Sequence, residues 1–331
     1  MSPLWKQKPV VGVGIGVGLL GALALALRHR SRQAESGRIP DEISPAIFAT
    51  RVANTPHGDI VYHVCGSGTP LVFLHGMFLG ASSYEWSKVY TRFAVGHEVL
   101  APDLIGFGES ERPAEPLDAD KHVESLSKFL RAACPGNPAI LIASGLTCQA
   151  GLLLAARHPE LVSRLVLFLP SQLRETAQAH TMGLVLGSLI RGIARFIYQR
   201  HTSRASFIRA WLSRTGYANP ENLAEETVDV LTSSAQQYGA EHAILGLQKN
   251  RKKFDATPRL ADIQCPTHVL WPAKAAGFPL AEATALCRQL SKPSLEVLND
   301  CSAFAPMESP ELLVRSLKHW VDGELAGNLP A

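Results

Sequence analysis

A series of short, almost wholly apolar segments constrains the fold of this chain more than any other feature. Pro70–His75 (PLVFLH), Glu98–Pro102, Ala139–Ser144 (AILIAS) and Leu165–Leu169 (LVLFL) each have the length of a single strand, and each lacks a polar face. A strand that is apolar on both sides must be covered on both sides. The stretches between the later ones, Asp120–Ala133 and Leu146–Arg157, carry helical patterns. Buried strands alternating with helices mean a mostly parallel sheet with helical crossovers, an α/β architecture. Asp59–Val64 precedes them as an alternating strand.

After Pro170 the rhythm stops. Residues 171–258 read as several helices with no strand, rich in Arg and Leu. The pattern resumes with the strand His268–Trp271, a helix near Leu280–Leu290, the strand Ser294–Leu298 and a last helix from Pro310 to Val321. The chain therefore divides into a core of residues 46–170 and 259–331, interrupted by an all-helical insertion of residues 171–258. A total of 331 residues suits one large domain of this kind, and 46% hydrophobic against 18% charged residues supplies a sizeable core. A net charge of +3 gives no reason to expect nucleic acid. Six scattered cysteines (Cys65, Cys134, Cys148, Cys265, Cys287, Cys301) form neither a CxxC pair nor a metal-ligand spacing, and read as reduced thiols.

The amino terminus differs. Val10 to Leu27 is uninterrupted apolar sequence, and eighteen residues of helix span about 27 Å, close to the hydrocarbon thickness of a bilayer. Residues 1–30 are expected to be a membrane anchor in contact with lipid through 10–27, followed by a linker over 31–45 punctuated by Gly37, Pro40 and Pro45. The rival is a cleaved signal peptide, with Lys6 and Lys8 as its basic start and Ala22-Leu23-Ala24 as a cleavage site. Arg28, His29, Arg30 and Arg32 follow the run at once and favour a retained span. Positive charge on both flanks leans slightly towards a cytoplasmic core domain, with export as the alternative.

The stretches PLVFLHGMFLGASSYEW (70–86) and APDLIGFGES (101–110) resemble the α/β-hydrolase superfamily, in particular the branch of epoxide hydrolases and haloalkane dehalogenases; the likeness covers roughly residues 46–323. It implies that His75-Gly76 opens the oxyanion loop, with the Met77 N–H as a donor. Asp103-x-x-Gly106-x-Gly108-x-Ser110 is then the tight turn after the fourth strand, and the insertion is a cap over the site.

The same resemblance places the catalytic positions, and each holds a residue without side-chain chemistry. The nucleophile of the family sits on a strained strand-to-helix turn. Counting back from Arg157-His158-Pro159 puts it at Gly145, within Ala143-Ser144-Gly145-Leu146-Thr147. Glycine tolerates the turn but offers no attacking atom. The acid, expected after Trp271-Pro272, falls on Ala275. The base, aligned on Glu308-Ser309-Pro310-Glu311, falls on Ala303. Loss of a triad costs about 10⁶ in turnover, of which about 10³ over water survives through the oxyanion hole and binding. The expectation is a pseudo-hydrolase that binds a hydrophobic ligand or a partner, with an oxyanion-loop pocket at His75, Gly76, Met77 and Leu146. An active hydrolase of non-family arrangement is the alternative. Its weak candidates are Cys148, one turn into the helix after Gly145; Ser144, whose side chain faces away from that of Gly145; and Asp103, read as a turn anchor. Asp300 and Cys301 adjoin the base position without a His to orient. No metal constellation or phosphate-cradling loop is visible, so neither cofactor nor metal is expected, and no motif fixes an oligomeric state.

Within the insertion, MGLVLGSLIRGIARFIY (182–198) is strongly apolar, with Arg191, Arg195, Arg200, Arg204, Arg209 and Arg214 in and after it. Three readings stand: packing on the core, shaping a greasy cavity, or resting on anionic lipid.

Overall fold

Short, largely apolar strands form the centre of the molecule. The computed structural model describes residues 48–171, 191–250 and 253–322. Its strands are β1 Ala49–Thr55, β2 Gly58–Cys65, β3 Thr69–Leu74, β4 His97–Pro102, β5 Ala139–Ser144, β6 Val162–Phe168, β7 Thr267–Pro272 and β8 Pro293–Leu298. They make one eight-stranded sheet in the order β1-β2-β4-β3-β5-β6-β7-β8. From β4 to β8 every pairing is parallel. All six residues of β5 and of β7 are buried, as two covered faces require.

The sheet corrects the expectation at one edge. β1 was not anticipated, and β1 and β2 run antiparallel to their neighbours. The hairpin between them closes at Gly58, whose φ of +131° suits glycine alone. Five of the seven β1 residues are exposed, so its sequence ATRVANT carries no apolar run to announce it.

Helices α1 Ala119–Ala133, α2 Thr147–Arg157, α7 Ala281–Cys287 and α8 Pro310–Asp322 belong to the core. α1 starts where the Asp118 side chain accepts from the Lys121 N–H at 3.1 Å, an ordinary N-cap. α2 is buried from Thr147 through Ala155, the mark of a crossover helix pressed into the sheet. The insertion contributes α3 Arg191–Ile197, α4 Ala205–Trp211, α5 Glu225–Ala235 and α6 Ala240–Asn250, with no strand among its described residues. The N-terminal anchor and the linker lie outside the described residues, as does the apolar stretch 182–190. Among the described residues no helix is long and apolar enough to cross a membrane.

His122 on α1 gives the core a measurable acid sensitivity. It is 2% exposed, its ring lies 5.8 Å from that of Phe254, and burial pushes its pKa from 6.5 down to about 4. The unfolded chain therefore takes up a proton below pH 6.5 that the fold refuses until about pH 4, and stability is lost as pH falls through that window. His122→Leu is expected to gain roughly 2 kcal/mol relative to wild type at pH 5 and little at pH 7. Urea midpoints at the two pH values check this. An equal gain at both would mean that His122 titrates normally.

Candidate functional site

The C-terminal edge of the parallel strands carries the candidate site. β5 ends at Ser144 and α2 begins at Thr147, so the chain reverses within two residues. Gly145 makes the turn with φ +56°, in the left-handed region. Its N–H donates to the Phe168 carbonyl at 2.9 Å, and its own carbonyl accepts from Ser171 N–H at 3.2 Å. A Cβ placed on Gly145 would meet only the Ser171 Oγ, at 3.9 Å. The turn thus has room for a side chain and does not have one. Beside it, Leu169 is the single non-glycine residue of positive φ among the described residues, at +47°. Leu169 is thus a strained backbone beside the left-handed Gly145, just beyond the ends of the adjacent strands β5 and β6, where strain tends to accompany function.

Ala275 follows β7 in a tight loop, where its N–H donates to the Pro272 carbonyl at 3.3 Å; it is 6% exposed. Ala303 is half-buried between β8 and a single helical turn, Ala305–Glu308. Parallel strands end on the same edge, so the loops of Gly145, Ala275 and Ala303 all open there. No ionisable or nucleophilic side chain occupies any of the three.

The loop after β3 is intact. His75 is fully buried. Its Nε2 accepts from the Leu104 N–H at 2.9 Å, which leaves Nδ1–H to donate to the Gly76 carbonyl at 2.7 Å. Burial lowers its pKa against a smaller opposing pull from Asp103, so the neutral ring serves as a connector. The Met77 and Leu146 N–H groups donate to no acceptor among the described residues. These are the two donors that line an oxyanion hole in this architecture.

The remaining sequence candidates are all committed elsewhere. The Cys148 thiol is fully buried and donates to the Ala143 carbonyl at 3.2 Å; burial and the nearby Glu85 raise its pKa well above the ordinary value. It is a thiol and not a thiolate. Asp103 is 2% exposed and accepts from the Ser83 N–H at 2.6 Å on one oxygen and from the Glu109 N–H at 2.7 Å on the other. Asp300 pairs with Lys274 at 3.3 Å on the surface. Among the described residues no group of His, Cys, Asp and Glu forms a metal site.

One residue escaped the sequence reading. Glu85 is 1% exposed; its carboxylate accepts from the Gly76 N–H at 2.6 Å and from the Ser144 hydroxyl at 2.5 Å. It ties the oxyanion loop to the Gly145 turn. Burial raises its pKa to about 7, the two hydrogen bonds pulling the other way. A signal was present: a charge immediately before a Trp, inside the apolar stretch that follows β3.

The walls above this edge are aromatic. Phe78 of the oxyanion loop lies 5.7 Å from Trp211 of α4 and 5.5 Å from Phe304, and Phe304 lies 6.0 Å from Tyr217. The insertion is fastened to the loop of Ala303. Glu308 accepts from the Ala218 and Asn219 N–H groups at 2.7 and 3.0 Å with one oxygen, and from the Ser302 N–H at 3.0 Å with the other. The Phe304 N–H donates to the Gly216 carbonyl at 2.7 Å. A shallow cleft opens beside Phe78, lined also by Phe107, Arg112, Tyr198 and Ser234. Gly145, Ala275 and Ala303 are not part of its lining.

A profile of the alpha/beta hydrolase family matches residues 71–316. A 2-hydroxymuconate semialdehyde hydrolase of Pseudomonas sp. (strain CF600) is 38% identical over 107 residues, 32% of this chain and 38% of that enzyme. A haloalkane dehalogenase of Mycobacterium marinum is 36% identical over 141 residues, covering 38% and 44% respectively. The chain thus spans less than half the length of these curated relatives. Among solved structures, a serine hydrolase involved in carbazole degradation superposes with a TM-score of 0.68 at 18% identity, over 83% of this chain and 99% of that one. A bacterial membrane phospholipase A superposes with a TM-score of 0.67 at 20% identity, over 93% and 97%. At such identities the likeness is one of fold.

Proposed function

The chain belongs to the alpha/beta hydrolase family, and on that premise we propose that it is a membrane-anchored pseudo-hydrolase, which binds a hydrophobic ligand or partner where its relatives carry out hydrolysis. The observation that carries the reading is Gly145: the strained turn and the space for a side chain remain, and the attacking atom does not. Ala275 and Ala303 on the neighbouring loops leave nothing to orient a base or to take a proton. The Met77 and Leu146 N–H groups still suit one acceptor oxygen, and Phe78, Trp211 and Phe304 suit an apolar body. Residues 10–27 hold the chain at a membrane, with the core on the cytoplasmic side.

The alternative, a hydrolase of another arrangement, draws support from the activities of the named relatives. It finds little in this chain, because Ser144, Cys148 and Asp103 are each buried and hydrogen-bonded into the fold.

Purified protein is expected to turn over p-nitrophenyl esters and styrene oxide no faster than its Met77→Pro variant. Turnover well above that control would overturn the reading. Gly145→Ser is expected to fold, at a cost of about 1–2 kcal/mol for a side chain at positive φ, and to remain inactive because nothing activates the hydroxyl. Dansyl-undecanoic acid, a carboxylate on an apolar tail, is expected to bind wild type about tenfold more tightly than Met77→Pro, the worth of one hydrogen bond to a charged acceptor.

A further inference from the structure

From Thr176 to Pro220 the chain contains six arginines and no Asp or Glu. α3 and α4 fall in this stretch, joined by a wide turn at Tyr198–Thr202. Their burial is one-sided. Ala194, Tyr198, Ile208 and Leu212 are turned into the protein and are at most 2% exposed. Phe196 and Arg200, one turn apart, and Arg204 and Phe207, across the extended start of α4, are turned outward. Phe196 is 58% exposed and Phe207 37%. The Arg200 guanidinium sits 5.8 Å over the Phe196 ring.

Neighbouring charges do not neutralise this face. Arg195 pairs with Glu241 and Arg209 with Glu225, so those two cations are balanced. Arg200, His201, Arg204 and Arg214 make no ion pair among the described residues. The outward face therefore combines two exposed benzyl groups with unbalanced guanidinium groups. That combination suits the boundary of a bilayer, where rings enter the acyl region and cations meet phosphate. A folded partner of ordinary surface would leave most of these cations unpaired.

We propose that the outward face of α3 and α4, built on Phe196, Arg200, Arg204 and Phe207, docks on an anionic phospholipid bilayer. This rests on the reading of residues 10–27 as an anchor. Roughly twenty residues separate Leu27 from Phe48 and reach at most about 70 Å, so an anchored domain is held close to the surface. At that effective concentration an intrinsically weak face suffices. Docking would set the insertion, and with it the aromatic wall at Trp211, against the lipid from which an apolar ligand is drawn.

The test uses the full chain assembled into nanodiscs of phosphatidylcholine alone or with phosphatidylglycerol added, read by hydrogen exchange over residues 194–211. Exchange is expected to slow at least about tenfold in the anionic discs only. High salt should reverse the protection, and so should either Arg200→Glu with Arg204→Glu or Phe196→Ser with Phe207→Ser. A chain retained in both discs with the same exchange would overturn the docking face and leave the anchor standing. A chain that elutes free of both discs would overturn the anchor and this inference with it. Protection that rises with protein concentration in lipid-free solution would assign the face to a second copy, and overturn the proposal.

Discussion

Asp103→Ala is expected to lower the free energy of unfolding by roughly 3–5 kcal/mol, as much as truncating a buried aromatic core residue. The carboxylate is almost fully buried and each oxygen is matched to a backbone donor, Ser83 N–H and Glu109 N–H. Deleting it leaves the buried Ser83 N–H and the part-buried Glu109 N–H without acceptors, at about 1–3 kcal/mol for the buried one and less for the other, and a void besides. The turn has closed around the group: a Cβ on Gly108, whose φ is +53°, would lie 2.0 Å from an Asp103 oxygen. No neighbour can relax into the space without breaking the turn. Urea unfolding should show a lower midpoint with an unchanged slope. Asp103→Asn keeps one acceptor and should lose about half as much. Equal losses for the two would place the cost in charge and not in the hydrogen bonds.

Glu85→Gln is expected to be more stable than wild type above pH 7, by up to roughly 3 kcal/mol. The folded pKa of Glu85 is about 7 against an ordinary 4.5, so the fold holds its proton more tightly than the unfolded chain does. Its contribution is greatest below pH 4.5 and is lost as pH rises towards 7, where the buried carboxylate must ionise. The amide of Gln stays neutral, accepts from the Gly76 N–H and donates to the Ser144 hydroxyl. Midpoints measured at pH 5 and pH 8 should converge between the two proteins at the lower pH and separate at the higher. His75 and His122 act with the opposite sign on the acid side. In wild type these losses offset one another across much of pH 5–7, and Glu85→Gln should gain stability on the alkaline side relative to it. A difference between Glu85→Gln and wild type that is the same at pH 5 and pH 8 would contradict the burial argument for Glu85.

What was legible in the sequence, and what was not, follows from the range of the interactions concerned. β5 was read to the residue, and β3 and β7 to within one, because a strand buried on both faces has no polar residue to blur its ends; β4 and β8, only partly buried, were read as closely from their apolar cores and their place in the β/α alternation. The turn at Gly145 was placed by the resemblance, counting one helix length back from Arg157-His158-Pro159. β1 was missed because an edge strand with one wet face carries no apolar run. Glu85 was missed because its partners, Gly76 and Ser144, lie 9 and 59 positions away, and only the β3–β5 pairing brings them together. The antiparallel edge is likewise a property of sheet order, which no local pattern encodes. Glu308 served in the sequence only as an alignment mark, yet it holds the insertion to the core.

That last contact is one of several by which the roof of the site is fastened. One carboxylate clamps three backbone N–H groups, two from the insertion and one from the loop of Ala303, and the Phe304–Gly216 bond lies beside it. The core holds the insertion elsewhere too: Tyr84 reaches Glu226 and Thr227, Arg112 reaches Gln237, and Asn250 donates to the Leu117 carbonyl. Loosening Glu308 alone would therefore leave the roof seated, so its clamp sets the register of the Ala303 loop against the insertion and is not the single fastening.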